Sequence, residues 1–177
     1  MRRRGESNIG VATVRRWARA LPPGATILDL GCGHGAPLAA ALVGDGFTIH
    51  GIDASPTLTA EFRARFPHAH VMCGAVESSS FFDRTFDAVL AVGLLFLLEA
   101  DAQRDLIRNV AKALTPGGRF LFTSPRDACG WTDVLTGRTS LSLGAEGYTA
   151  ILTGSGLALL GEYLDEGDNH YFDARKQ

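Results

Sequence analysis

The sequence predicts a doubly wound α/β fold: a mostly parallel, seven-stranded sheet that ends in an antiparallel hairpin. Three observations carry this. Short apolar runs alternate with amphipathic segments about five times, the pattern of strands and crossover helices. The run from Phe86 to Val92 is apolar nearly throughout, as in a strand covered on both faces. The last two apolar runs are joined only by Asp165-Glu166-Gly167-Asp168-Asn169, too few residues for a helix, so those strands return antiparallel.

Taken in order, residues 9–20 read as a helix, with Val11, Val14 and Ala18 on one face, Trp17 beside it and Ser7 or Asn8 as its cap. Leu21-Pro22-Pro23-Gly24 ends it. Residues 25–30 form a strand, 31–35 a glycine-rich turn and 36–43 a helix. A second strand spans 47–52. Ser55-Pro56 opens a helix to residue 66, with proline at the first helical position. Strands follow at 69–73 and 86–92. Residues 101–114 are amphipathic, with Leu106, Ile107, Val110, Ala111 and Leu114 on one side. Pro116-Gly117-Gly118 turns the chain into a strand at 119–123. A long loop leads to a helix at 144–155 and the strands 157–164 and 170–174.

The bulk numbers bound the function. The 177 residues suffice for one domain, with residues 1–20 as an N-terminal helix and possible lid. The formal net charge of −2 gives no electrostatic case for nucleic acid. Arg2-Arg3-Arg4 reads as a solvated terminus. No apolar run has membrane-spanning length, and the start lacks a signal-peptide pattern, so no membrane partner is expected. Cys32, Cys73 and Cys129 form no C-x-x-C or disulfide framework, which suits a reducing cytoplasm. No metal cluster is expected; His68 and His70 read as one face of a solvated edge strand. Oligomeric state stays open, with the apolar residues 92–98 as a candidate interface.

Doubly wound sheets bind ligands at the carboxyl ends of their strands, where strand order reverses. The segment Ile27-Leu28-Asp29-Leu30-Gly31-Cys32-Gly33-His34-Gly35 places a strand end, a tight turn and a helix start there. Gly31 and Gly33 let a ligand approach the backbone, and helix-start N–H groups favour an anion. Asp29 can meet an ammonium group. Asp53 ends the second strand about 20 residues on, the spacing of an acid that binds ribose hydroxyls. An amino acid at one end and a ribose at the other describe S-adenosylmethionine. The same residues satisfy the dinucleotide fingerprint G-x-G-x-x-G/A, so an NAD(P)-dependent oxidoreductase is the alternative. Against it stand Asp29, which would repel a pyrophosphate, and the terminal hairpin. Architectural glycines and a merely capping Asp53 are the bland readings.

Residues 27–35 resemble motif I of class I S-adenosylmethionine-dependent methyltransferases, especially the small stand-alone bacterial members. Phe86-Asp87-Ala88-Val89 resembles their fourth-strand motif, Leu114-Thr115-Pro116-Gly117-Gly118-Arg119-Phe120 their turn into the fifth strand, and the final hairpin their antiparallel seventh strand. The resemblance covers about residues 9–175 and implies a Rossmann-like methyltransferase fold. It also implies that backbone at Gly31 and Gly33 holds the methionine part of S-adenosylmethionine, with Cys32 beside it and Asp29 near its amine. Asp53, followed by Ala54, would bind the ribose. Gly74-Ala75-Val76-Glu77 would hold the adenine, although Ala75 stands where many relatives carry aspartate. Gly93 would line the methionine side. A domain that binds S-adenosylmethionine without transferring its methyl group is a further alternative.

Methyl transfer mainly needs alignment, and a base only when the acceptor must lose a proton. The acceptor is expected to be a small molecule, since neither a basic surface nor an added recognition domain is visible. His170 is the candidate base or acceptor ligand. Its alternative is a strand-end histidine bonded to Asp168 or backbone. Arg126 and Arg138 are candidates to clamp an acceptor carboxylate, or else pair with Asp127 or Asp133. Trp131 is the candidate cover of the acceptor.

Overall fold

The computed structural model describes residues 7–177; the arginines at 2 to 4 and the first six residues of the expected lid lie outside them. Among the described residues nine strands form: β1 Thr26–Leu30, β2 Thr48–Asp53, β3 His70–Cys73, β4 Phe86–Ala91, β5 Leu114–Thr123, β6 Cys129–Thr132, β7 Thr139–Ser142, β8 Leu157–Leu164 and β9 His170–Lys176. The helices are α1 Val11–Ala18, α2 Leu38–Gly44, α3 Pro56–Arg65, α4 Ala100–Ala113 and α5 Gly144–Gly154. Seven strands make one sheet in the order β3-β2-β1-β4-β5-β9-β8. β1 to β5 run parallel, and β9 is antiparallel to both of its neighbours.

Side-chain alternation along the strands splits the core in two. Ile27, Ala88, Leu90 and Leu121 face α1, α2 and α3, packing with Val14, Trp17, Leu42 and Phe62. Leu28, Leu30, Val89, Phe120 and Phe122 face α4 and α5, packing with Leu106, Val110, Tyr148 and Leu152. Strands buried on both faces are what helices on both sides require. Asp87 ties the starts of β1 and β4 together, since its Oδ2 accepts from Thr26 N at 2.8 Å and from Thr26 Oγ1 at 3.1 Å. On β9, Asp173 is 1% exposed, and is held by the Arg119 guanidinium and by the Tyr163 hydroxyl.

Three local features depart from the sequence reading. The long loop after β5 contains the β6–β7 ribbon, whose turn is built on Asp133: its Oδ1 accepts from Leu135 N, Thr136 N and Thr136 Oγ1. Its strands carry no apolar alternation, because β6 is exposed along its whole length. β5 begins at Leu114 rather than after the glycines, because the chain pairs Leu114 with Phe86 and then bulges before Arg119 pairs with Ala88. α2 begins at Leu38 rather than at residue 36, so a longer irregular turn separates it from β1.

A buried polar chain joins α4 and α5 to the end of β5. The Tyr148 hydroxyl donates to Gln103 Oε1 at 2.6 Å and lies 2.8 Å from Ser124 Oγ, while Gln103 Nε2 donates to the carbonyls of Leu98 and Leu141. Tyr148→Phe strands two buried polar atoms and should cost about 2 kcal/mol of stability, read as a lower urea midpoint.

Candidate functional site

The strand order reverses between β1 and β4, and the loops leaving these two strands flank the resulting crevice. The loop after β1 bends through Gly31 at φ +72°, Gly33 at φ +56° and Gly35 at φ +88°, a region that side chains disfavour. Gly35 is also fixed by packing, since a Cβ there would collide with the rings of Phe62 and Phe66. Gly33 faces open space, leaving its backbone approachable.

The N–H groups of this loop are committed differently from the expectation. Those of Gly31 and Cys32 are both given to Ile52 O, at 2.8 and 3.1 Å, and that of Gly33 goes to Asp53 Oδ2 at 2.9 Å. Because α2 starts late, helix-start N–H groups do not follow the glycines directly. What the turn offers a ligand is its bare glycine surface and its acids. The crevice at the turn encloses about 310 Å³ among Asp29, Gly31, Gly33, His34, Leu58 and Val92.

The two acids sit in contrasting settings. Asp29 is 6% exposed at the end of β1, and no hydrogen-bond donor among the described residues reaches its carboxylate. Burial first, and then the Asp53 charge, push its pKa up to about 7. Asp53 is half-buried, and each of its oxygens accepts one backbone N–H: Oδ2 from Gly33, Oδ1 from Ser55 at 2.9 Å. The cap of α3 is Ser55, whose Oγ accepts from Leu58 N. Asp53 therefore braces the glycine turn and keeps a second lone pair on each oxygen for a ligand. Cys32 is buried beside Gly51, where a Cβ would stand 2.7 Å from its sulfur. Burial and the two carboxylates push its thiol pKa up, so it stays neutral and packs.

The remaining cofactor candidates lie in the loops after β2, β3 and β4, at the carboxyl end of the sheet. Ala54 is exposed, and its carbonyl accepts from the Cys73 thiol at 3.8 Å, bringing the loops after β2 and β3 together. Ala75 and Glu77 are exposed, whereas the Val76 side chain belongs to the core, so only its backbone can face a ligand. Gly93 has φ +72° and gives its N–H to Thr123 Oγ1 at 2.8 Å.

A second cleft of about 510 Å³ opens across Thr123, lined by Phe96, Arg126, Trp131, Leu164 and His170 among others. His170 is bonded to neither Asp168 nor backbone through its ring; its Nε2 lies 2.8 Å from Glu162 Oε1. Arg126 pairs with that same oxygen at 3.6 Å, not with Asp127 or Asp133. Arg138 is exposed in the β6–β7 turn and does not line the cleft. Sequence reasoning missed Glu162 and Phe96. Glu162 lies diagonally across the hairpin from His170, because Leu164 pairs with His170, and that register was the available signal. Phe96 lay in the apolar run read as an interface, where Leu97 is exposed and Leu95 is buried.

Residues 27–118 match a family described as methyltransferase domain. The chain is 38% identical over 110 residues to an aklanonic acid methyltransferase of a Streptomyces species, covering 58% of this chain and 49% of that protein. It is 30% identical over 112 residues to an uncharacterised methyltransferase of a Synechocystis species, covering 63% and 52%. The chain thus spans about half the length of the curated relatives it matches. Among solved structures, it resembles an S-adenosylmethionine-bound amino pentose methyltransferase from Micromonospora echinaspora, with a TM-score of 0.75 at 18% identity, over 95% of this chain and 90% of that one. Since the family match takes in residues 27–118 of 177, more than half of the chain, the protein belongs to the methyltransferase domain family.

Proposed function

We propose that the protein transfers a methyl group from S-adenosylmethionine to a small-molecule acceptor. The observation that carries this reading is Asp29: a buried carboxylate with no hydrogen-bond donor among the described residues, at the end of β1 beside the glycine turn, that an ammonium group would neutralise. Asp53, braced at the far side of the same turn, suits ribose hydroxyls. A methyl group on a sulfonium arrives already activated, so the protein's part is to hold and align. Gly31 and Gly33 admit the methionine part, Gly93 faces it from the loop after β4, and residues 74–77 flank the adenine. A nicotinamide dinucleotide fits less well, since Asp29 would face its pyrophosphate.

The reading places the protein in the cytoplasm, where its three free cysteines stay reduced. Among the described residues, no helix is long and apolar enough to cross a membrane. A net charge of −2 argues against a nucleic-acid acceptor.

Calorimetric titration of the full chain with S-adenosylmethionine, S-adenosylhomocysteine, NADH and NADPH tests the assignment. Binding of the first two alone is the expected result. Binding of a nicotinamide cofactor instead would make the chain a minimal oxidoreductase domain.

A further inference from the structure

We infer that the cleft between the β6–β7 ribbon and the β8–β9 turn is the acceptor site, that it takes a planar aromatic molecule bearing an ionisable hydroxyl, and that His170 removes the hydroxyl proton while Glu162 holds the imidazole. This rests on the methyl-transfer reading above and names its substrate class.

Position comes first. Thr123 lines the cleft and also takes the N–H of Gly93, which ties the cleft to the loop after β4, next to Val92 of the crevice. The lining comes from the segments after β4, β5 and β8, all at the carboxyl end of the sheet. Its volume of about 510 Å³ is that of a pocket for a molecule of a few fused rings.

The walls set the shape of the occupant. Phe96 and Trp131 approach with ring centroids 5.5 Å apart, from two segments distant in sequence. Trp131 is 37% exposed and Leu164 61% exposed, with Pro125 also in the lining. Large apolar groups left open on a concave wall favour a flat ring, which gains both area burial and offset stacking.

The polar side sets the chemistry. Glu162 Oε1 takes His170 Nε2 at 2.8 Å and faces Arg126 at 3.6 Å. Donation of the Nε2 proton to Glu162 fixes the neutral tautomer with its lone pair on Nδ1, which has no partner among the described residues. Arg126 (loop after β5), Glu162 (β8) and Asp168 (β8–β9 turn) are the charged groups of this wall. With Arg126 spent on Glu162 and Arg138 elsewhere, a carboxylate clamp is not assembled. A neutral acceptor with one acidic hydroxyl suits the balance. Its oxygen gives the proton to Nδ1 and uses the freed electron pair to form an O–C bond with the methyl carbon. The C–S bond breaks with its pair kept by sulfur, which passes from sulfonium to neutral thioether.

The test uses 1-naphthol as probe, on the full chain saturated with S-adenosylhomocysteine for binding and with labelled S-adenosylmethionine for turnover. Binding and methylation of 1-naphthol are expected. Trp131→Ala should weaken naphthol binding about tenfold with S-adenosylhomocysteine affinity unchanged. Leu164→Glu on the cleft rim should do the same, and stands in if Trp131→Ala loses the cofactor. His170→Gln should lower kcat about 100-fold at constant KM. Glu162→Gln should shift the rising limb of the pH–rate profile to lower pH, since the imidazolium loses its carboxylate. A protein that binds S-adenosylhomocysteine but binds naphthol weakly or equally well in both cleft variants, or keeps full kcat in His170→Gln, overturns the acceptor assignment alone. Failure to bind S-adenosylhomocysteine overturns the underlying reading, and this inference with it.

Discussion

Asp53→Ala should lower the affinity for S-adenosylhomocysteine about 1000-fold while the protein stays folded. Two losses add. Hydrogen bonds to a charged group are worth about 1.5–3 kcal/mol each, and a ribose diol would make two of them to this carboxylate. The same carboxylate holds Gly33 N and Ser55 N, so its removal also loosens the turn on which the methionine part would lie. A combined loss of about 4 kcal/mol corresponds to that factor. Asp53→Asn separates the two: its amide oxygen can keep one brace, but the charge is gone. Its affinity should fall between those of wild type and alanine variant. Calorimetric titration reads all three, and thermal melting checks the fold. Equal affinity in all three would mean that Asp53 neither contacts the ligand nor shapes the turn for it.

How far the sequence reveals this site depends on which physical signal each residue leaves. Most of the seven main strands and five helices were legible because they bury apolar positions, on both faces of a run such as Phe86–Ala91 or at helical spacing as with Leu106 and Val110. Asp29 and Asp53 were legible because both flank a glycine turn at fixed separations. The β6–β7 ribbon was not, because exposed strands such as Cys129–Thr132 bury no side chains and leave no period. The bracing role of Asp53 was likewise hidden. The spacing shows an acid near a turn, but not that Gly33 N points back at it. The partner of His170 was misjudged for a related reason. Sequence proximity favoured Asp168, whereas strand register brings Glu162 to the ring. Arg126 and Arg138 illustrate the general limit: exposed arginines carry no burial signal, so only geometry separates one beside the cleft from one on a turn.

Asp29→Asn should make the ligand-free protein more stable at pH 8 and the cofactor bind less tightly. The folded-state pKa of Asp29 stands at about 7 against an unfolded value of 3.8, so the folded protein binds the proton more strongly. Stability from this group is fully present below pH 3.8, falls as pH rises, and is gone above pH 7. A displacement of that size amounts to about 4 kcal/mol. Asparagine is uncharged throughout, as protonated aspartate is, and escapes the penalty. The variant should therefore melt about 10 °C above wild type at pH 8, with the gap closing by about pH 4. Binding runs the other way. An ammonium group beside Asp29 pulls its pKa down, so binding expels the proton at pH 6. Affinity should rise about tenfold per pH unit below pH 7 and level off above it. The variant should show weaker, nearly pH-independent binding. Titration at pH 6 in two buffers of different ionisation enthalpy counts the released proton directly. No released proton, together with no gain in melting temperature at pH 8, would mean that Asp29 is already ionised in the free protein. The penalty in the free state and the proton released on binding are one quantity seen twice: a carboxylate held for a cation at the cost of stability without one.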